Sequence, residues 1–166
     1  VDALRVAAQA QLAEELGYER IWTGSPAMAG RALALAEQLV VDTGQQHDAG
    51  VMDRLSSLAA DLHDYRLLYA RICDAVAAGR EPGPEVSMLK IYVSELLQRI
   101  AEFNVELGAE CGGIVGDVHI GDTLTDLYWQ FVVSRPASIF AGTNEIQRNI
   151  LAKAVLQLPP EPLPAI

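Results

Sequence analysis

The chain has 166 residues and a formal net charge of −10, with 51% hydrophobic and 20% charged residues. That length suits one domain with a real core, and the acidic balance speaks against binding nucleic-acid phosphates. No run of about eighteen apolar residues offers a membrane span, and the opening VDALRVAAQAQLAEELGYER lacks the basic n-region and clean apolar core of a secretory signal.

Helical periodicity dominates in chain order. Leu4, Ala8, Leu12 and Leu16 share one face of a leading helix, and Gly24 and Ser25 break it. Ser25 and Pro26 read as an N-cap and a first-turn proline. They open a helix through AMAGRALALAEQLVVDT that stops at Gly44. Its alanines and Gly30 would admit a close neighbour. After Gly50, the residues Val51, Leu55, Leu58, Leu62, Tyr65, Tyr69, Ile72 and Val76 follow at four- and three-residue spacing, which predicts one stripe on a long helix. Gly79 offers its C-cap, and Pro82, Gly83 and Pro84 a turn. A second long helix starts near Pro84 or Glu85 with the stripe Leu89, Val93, Leu96, Ile100, Phe103 and Leu107. The short loop makes the two antiparallel neighbours.

Beyond Leu107 the stretch GAECGGIVGDVHIGDT holds five glycines and predicts an irregular connection. A helix resumes over Leu124 to Val133, Pro136 ends or kinks it, and a last helix is expected from Asn144 to Leu156. No strand alternation stands out. The expected fold is all-α, an up-and-down helical bundle in a single domain over 1–166. Residues 1–24 form its leading helix, 25–135 its long helices, 136–158 a turn and last helix, and 159–166 a tail.

The residues themselves suggest little metal or redox-scaffold chemistry. Cys73 and Cys111 form neither a metal-like pair nor a disulfide framework, and Cys73 reads as a small core residue. A reducing, cytoplasmic setting is the expectation. His47, His63 and His119 are scattered, and the Glu-x-x-His pairs of a di-iron bundle are missing from the sequence, so no metal is expected. Trp22 and Trp129 are expected to pack in the core or an interface.

The segment SIFAGTNEIQRNILAKAVLQLP resembles the C-terminal signature of acyl-CoA dehydrogenases: an aromatic, a variable residue, Gly-Thr, two variable residues, then Ile-Gln-Arg and a helix. Here these are Phe140 through Arg148. PGPEVSMLKIYVSELLQRIAEF and ELGYERIW are similar to the family as well, and the resemblance covers most of the chain. It implies the C-terminal helical domain of an FAD-dependent enzyme that desaturates an acyl-CoA. It also implies an electron-transfer acceptor, a homo- or hetero-oligomer (dimer or tetramer), and two further domains outside this sequence. By position, Gly142 would contact substrate, and Thr143, Asn144 and Glu145 would lie on FAD. The pair Gly112–Gly113 resembles the family's flavin-contacting glycines.

The family abstracts the substrate α-proton with a carboxylate, which must sit within hydrogen-bond reach of that carbon. Many members place it directly before Gly-Thr, where this chain has Ala141. A minority branch carries it as Glu-Arg on the first helix of this domain, and Leu16, Gly17, Tyr18, Glu19 and Arg20 match that place. Glu19 is therefore the expected base, with Arg20 shaping the substrate site. The alternatives are a non-catalytic partner subunit of a heteromeric enzyme and an unrelated helical interaction bundle. One departure stands out: VVDTGQQHDAG replaces the family's Arg-x-x-Phe-Gly flavin-contacting motif. Lys153, where some members hold an arginine, reads as a surface residue.

Overall fold

The computed structural model describes residues 24–159. The leading helix, Glu19, Arg20, Trp22 and most of the tail lie outside the described residues. Among the described residues there are five α-helices: α1 (Ala27–Asp42), α2 (Ala49–Ala77), α3 (Ser87–Leu107), α4 (Leu127–Ser134) and α5 (Asn144–Ile150). The all-α expectation stands, with one small addition. A two-stranded antiparallel hairpin pairs β1 (Val118–Ile120) with β2 (Thr123–Thr125).

The long helices bury the stripes their spacing dictates. On α2, Leu58, Leu62, Tyr65 and Ile72 are buried, and Val51, Leu55, Tyr69 and Val76 pack against them. On α3, all six stripe residues from Leu89 to Leu107 are buried. The α2 start is one residue earlier than Gly50, because Asp48 caps it by accepting from the N–H groups of Gly50 (2.8 Å) and Val51 (3.0 Å). At the far end Arg80 donates to Ala75 and Gly79 to Val76, with Gly79 at φ +82°, the left-handed closure that glycine makes without Cβ strain. Antiparallel packing of α2 on α3 is written in the cross-links: Arg54 meets Glu106, Asp61 meets Arg99 at 2.6 Å, and Tyr65 stacks on Tyr92 at 5.2 Å. As one number rises the other falls.

Helix α3 is central, touching α1, α2, α4 and α5. That is why it buries polar residues as well (Ser87, Lys90, Ser94 and Asn104). Asn104 Nδ2 donates to the Ala32 carbonyl of α1 at 3.0 Å. At the start of α1, Ser25 Oγ accepts from Ala27 N–H at 3.4 Å, the bond expected of a cap. Trp129 is 60% exposed and lies outside the core. One detail differs from the sequence reading: Gly30 faces the Arg66 guanidinium, 3.0 Å from where its Cβ would stand, rather than a neighbouring backbone.

The hairpin is too short for alternation to show in sequence. Gly121, at φ +56°, closes its two-residue loop, and a Cβ there would stand 2.6 Å from that of Asp42. Asp42 also accepts from Thr123 Oγ1 at 2.7 Å, so the hairpin is docked on the end of α1. Thr123 and Gln38 lower the Asp42 pKa by these hydrogen bonds. The last helix runs as α5 to Ile150 and continues in a wider π-type turn over Leu151–Val155, which packs back on Pro84–Val86.

Candidate functional site

The Gly-Thr segment is held in place by what precedes it. Asp126 caps α4 by accepting from Trp129 N–H at 2.7 Å. Pro136 then ends regular helix in a single 3₁₀ turn over Arg135–Ser138. Arg135 fastens that turn to α3, donating to Glu102 Oε1 at 2.7 Å and to the Gln98 carbonyl at 3.1 Å, with its guanidinium over the Phe131 ring. Gln98 returns the contact, donating to the carbonyls of Ser134 and Arg135 at 3.1 Å each.

The chain then reverses at two successive left-handed residues, Ala141 (φ +55°) and Gly142 (φ +84°). Glycine is required at 142 twice over. It takes the positive φ freely, and a Cβ would stand 2.8 Å from Gln147 Nε2. Ala141 lacks that freedom, and a left-handed alanine costs about 1 kcal/mol or more. Replacing Ala141 by glycine is therefore expected to stabilise the chain by about 0.5–1 kcal/mol, after allowing for the extra freedom of an unfolded glycine. A urea titration of both forms measures this, and a loss of stability would contradict the strained turn.

Thr143 caps α5, its hydroxyl accepting from Ile146 N–H at 3.3 Å. Gln147 folds back to donate Nε2 to the Ala141 carbonyl at 3.2 Å. Asn144 turns inward, 3% exposed, and its carboxamide bonds Lys90, Ser94 and Glu95 on α3. The Asn144 carboxamide, at a position that the resemblance places against FAD, is thus bonded to protein partners. Gly142 and Thr143 are half-buried and Glu145 is exposed. Hydrogen bonding at its own backbone N–H and from Thr143 holds the Glu145 carboxyl below the usual range.

Beside this turn lies a cavity of about 290 Å³ between α1, α3 and α4. Met28, Val93, Leu97, Val133, Phe140 and Ala141 make it largely apolar, and Ser25, Lys90 and Ser94 are its polar groups. A neighbouring hollow of about 270 Å³ shares Met28, Leu97 and Val133 and continues along α3 toward Ala101. The outer shoulder is apolar and open: Ile139 is 62% and Phe140 68% exposed.

Gly112 and Gly113 are elsewhere. Gly112 is buried in a 3₁₀ turn, and a Cβ would stand 2.3 Å from the Val105 carbonyl, so its glycine answers to the protein's own backbone. Val105 and Lys90 are on the same helix, roughly 22 Å apart along its axis. Within one chain the glycine pair is thus not brought to the Gly-Thr turn. Glu19 and Arg20 fall outside the described residues. Lys153 is exposed. Sequence reasoning passed over Lys90, Ser94 and Gln147. Lys90, Ser94, Leu97 and Ala101 repeat at helical spacing beside the main α3 stripe, a sign of a helix buried on a second side.

Comparison with known proteins gives a consistent picture. The family model described as acyl-CoA dehydrogenase, C-terminal domain, matches residues 9–156. The acyl-CoA dehydrogenase FadE34 of Mycobacterium tuberculosis (strain ATCC 25618 / H37Rv) is 30% identical over 144 residues, covering 87% of this chain and 19% of that protein. The chain therefore spans about a fifth of the length of the curated relative it matches. Among solved structures, the Tcur3481–Tcur3483 steroid ACAD superposes with a TM-score of 0.74 at 24% identity, over 88% of this chain and 38% of that one. The ChsE4–ChsE5 complex from Mycobacterium tuberculosis gives 0.63 at 19% identity, over 83% and 36%. At such identities these likenesses speak to the fold alone.

Proposed function

Since the chain belongs to the acyl-CoA dehydrogenase family through its C-terminal domain, we propose that it serves an FAD-dependent desaturation of an acyl-CoA between its α- and β-carbons. One observation carries the reading: the family's Gly-Thr signature is folded as a left-handed turn on the rim of an apolar cavity. The helical C-terminal domain is the part in hand, and the rest of the enzyme is proposed to lie outside this sequence.

The residues divide the work. Gly142 offers backbone at the rim, where the thioester carbonyl would be held. Thr143 and Glu145 face outward and would border the cofactor, while Asn144 secures the turn from behind. Bound flavin would supply the hydride acceptor. Glu19 would remove the α-proton, and Arg20 would shape the pocket around it. Exclusion of water there would raise the carboxylate pKa toward the working pH. The Gly112–Gly113 pair would meet a flavin only if another copy or subunit brought one to it.

The test is reduction of the flavin. In the assembled holoenzyme, kept free of oxygen, adding acyl-CoA should bleach the flavin's visible absorbance. Steroid-derived thioesters belong among those tried, given the relative described as a steroid ACAD. A protein that binds flavin yet never bleaches with any thioester overturns the reading. A second reading is favoured by Ala141, which cannot accept a proton where many relatives carry the base. In that reading the chain is a non-catalytic partner in a heteromeric assembly, and a relative described as a two-protein complex gives it a precedent. Co-purification with a sister chain that bears the carboxylate would decide for it. An electron-transfer acceptor and a cytoplasmic setting complete the proposal. Among the described residues no helix is long and apolar enough to cross a membrane.

A further inference from the structure

The chain has two lysines. One is on the surface, and the other, Lys90, is buried with 3% of its area exposed. A buried ammonium loses its hydration and persists only where protein groups replace that water. Lys90 Nζ donates to Asn144 Oδ1 at 2.6 Å. The same carboxamide donates Nδ2 to Ser94 Oγ at 3.0 Å and to Glu95 Oε1 at 3.1 Å, and Glu95 pairs in turn with Arg148.

The helix that receives these bonds is unusual in what it buries. Most helices are held by an apolar face. Among the residues of α5 only Asn144 and Gln147 are buried, and both are polar. Of its two isoleucines, Ile146 is 52% exposed and Ile150 is half-buried. Gln147 is spent on the Ala141 carbonyl. At the start of α5, next to the turn, the attachment to the central helix therefore falls on Asn144 and on the groups that grip it, with Arg148 pairing to Glu95 one turn further on.

We propose that Lys90 is a positioning residue: by donating to Asn144 it fixes the strained Ala141–Thr143 turn against the central helix and so sets where the turn's backbone stands at the cavity rim. Its functional meaning rests on the reading of that turn as substrate-facing, but the device itself does not. Burial pushes the Lys90 pKa below that of an ordinary lysine, opposed by Glu145 and Glu95, while Arg148 adds to the lowering. Among the described residues those are the ionisable groups that act on it, from α3 and α5. The other walls of the cavity present Ser25, Met28, Val133, Ala137, Phe140 and Ala141, none of which titrates in this range.

The experiment is done on the isotopically labelled 166-residue chain by nuclear magnetic resonance. In the unmodified chain, the Asn144 side-chain amide and the Gly142 backbone amide should follow one common titration with a midpoint below that of a free lysine. In Lys90→Met, which keeps the stem and removes the donor, that titration should vanish. Amide exchange at residues 146 and 147 should then quicken about tenfold or more, with Leu58 to Ile72 unchanged. Equal acceleration along α2 would signify a general loss of stability and overturn the proposal, as would unchanged exchange at 146 and 147. Should Lys90→Met fail to fold, the titration of the unmodified chain decides, and its absence sinks the idea. Neither readout uses flavin or thioester, so a failure here leaves the enzymatic reading standing, and the reverse holds too.

Discussion

In the assembled enzyme, Glu19→Gln is expected to slow the bleaching of flavin by acyl-CoA by about a hundred- to ten-thousandfold, with thioester affinity nearly unchanged. Glutamine keeps the size and hydrogen-bonding reach of the side chain but cannot take the α-proton. The loss should be deep because no second carboxylate stands before Gly-Thr: that position is Ala141. The same position offers a reciprocal gain. Ala141 is exposed and already left-handed, so a longer side chain there meets no packing barrier and no backbone strain beyond what alanine bears. Adding Ala141→Glu to Glu19→Gln should restore part of the lost rate by supplying a carboxylate where many members of the family carry theirs. Full turnover by Glu19→Gln alone would remove Glu19 from the chemistry and leave the partner-subunit reading in its place. Stopped-flow absorbance of the flavin measures all three proteins in one format.

The second large effect concerns the scaffold. Phe103→Ala should cost about 3–5 kcal/mol, the usual toll for emptying a buried aromatic site. Phe103 is 1% exposed on the most enclosed helix of the bundle. Its ring also carries the Arg54 guanidinium at 4.9 Å, the same guanidinium that pairs with Glu106 across α2 and α3. Truncation therefore removes core volume and the platform of an inter-helix link together. A domain of this size holds only about 5–15 kcal/mol in total, so a large share of the stability goes with one ring. Leu67→Ala is the control: Leu67 is 59% exposed on α2, and its change should stay within about 0.5 kcal/mol. A drop below about 1 kcal/mol for Phe103→Ala would show that the core is not built around α3.

The long helices were legible because their information is periodic. Each stripe residue from Val51 to Val76 and from Leu89 to Leu107 repeats every three or four positions, and burial follows that pattern. The hairpin was not legible. Its strands span three residues each, too few for alternation, and its place is set by Asp42, some eighty positions earlier in the chain. The Gly-Thr signature was legible as a turn leading into a helix, and the left-handed pair at 141 and 142 makes that turn ahead of α5. What the signature left unsaid is the role of polar residues that act inward. Asn144 and Glu145 are neighbours in sequence, yet one faces α3 and the other faces solvent. Lys90 was passed over because the second stripe it belongs to, with Ser94, Leu97 and Ala101, mixes polar and apolar residues and so stands out less than the apolar one.

Tyr65 is a mechanical tie within the bundle. Its phenol, fully enclosed and pushed up in pKa by that burial, donates to the Gly24 carbonyl and lies 3.3 Å from the Leu89 carbonyl. Gly24 is where the chain arrives from the segment that carries Glu19. One side chain on α2 thus tethers that point of arrival to the start of α3 at Leu89, one residue before Lys90 and five before Ser94. A sliding of the two long helices would strain the Gly24 contact and the turn's anchor at once, so both are hitched to a single post.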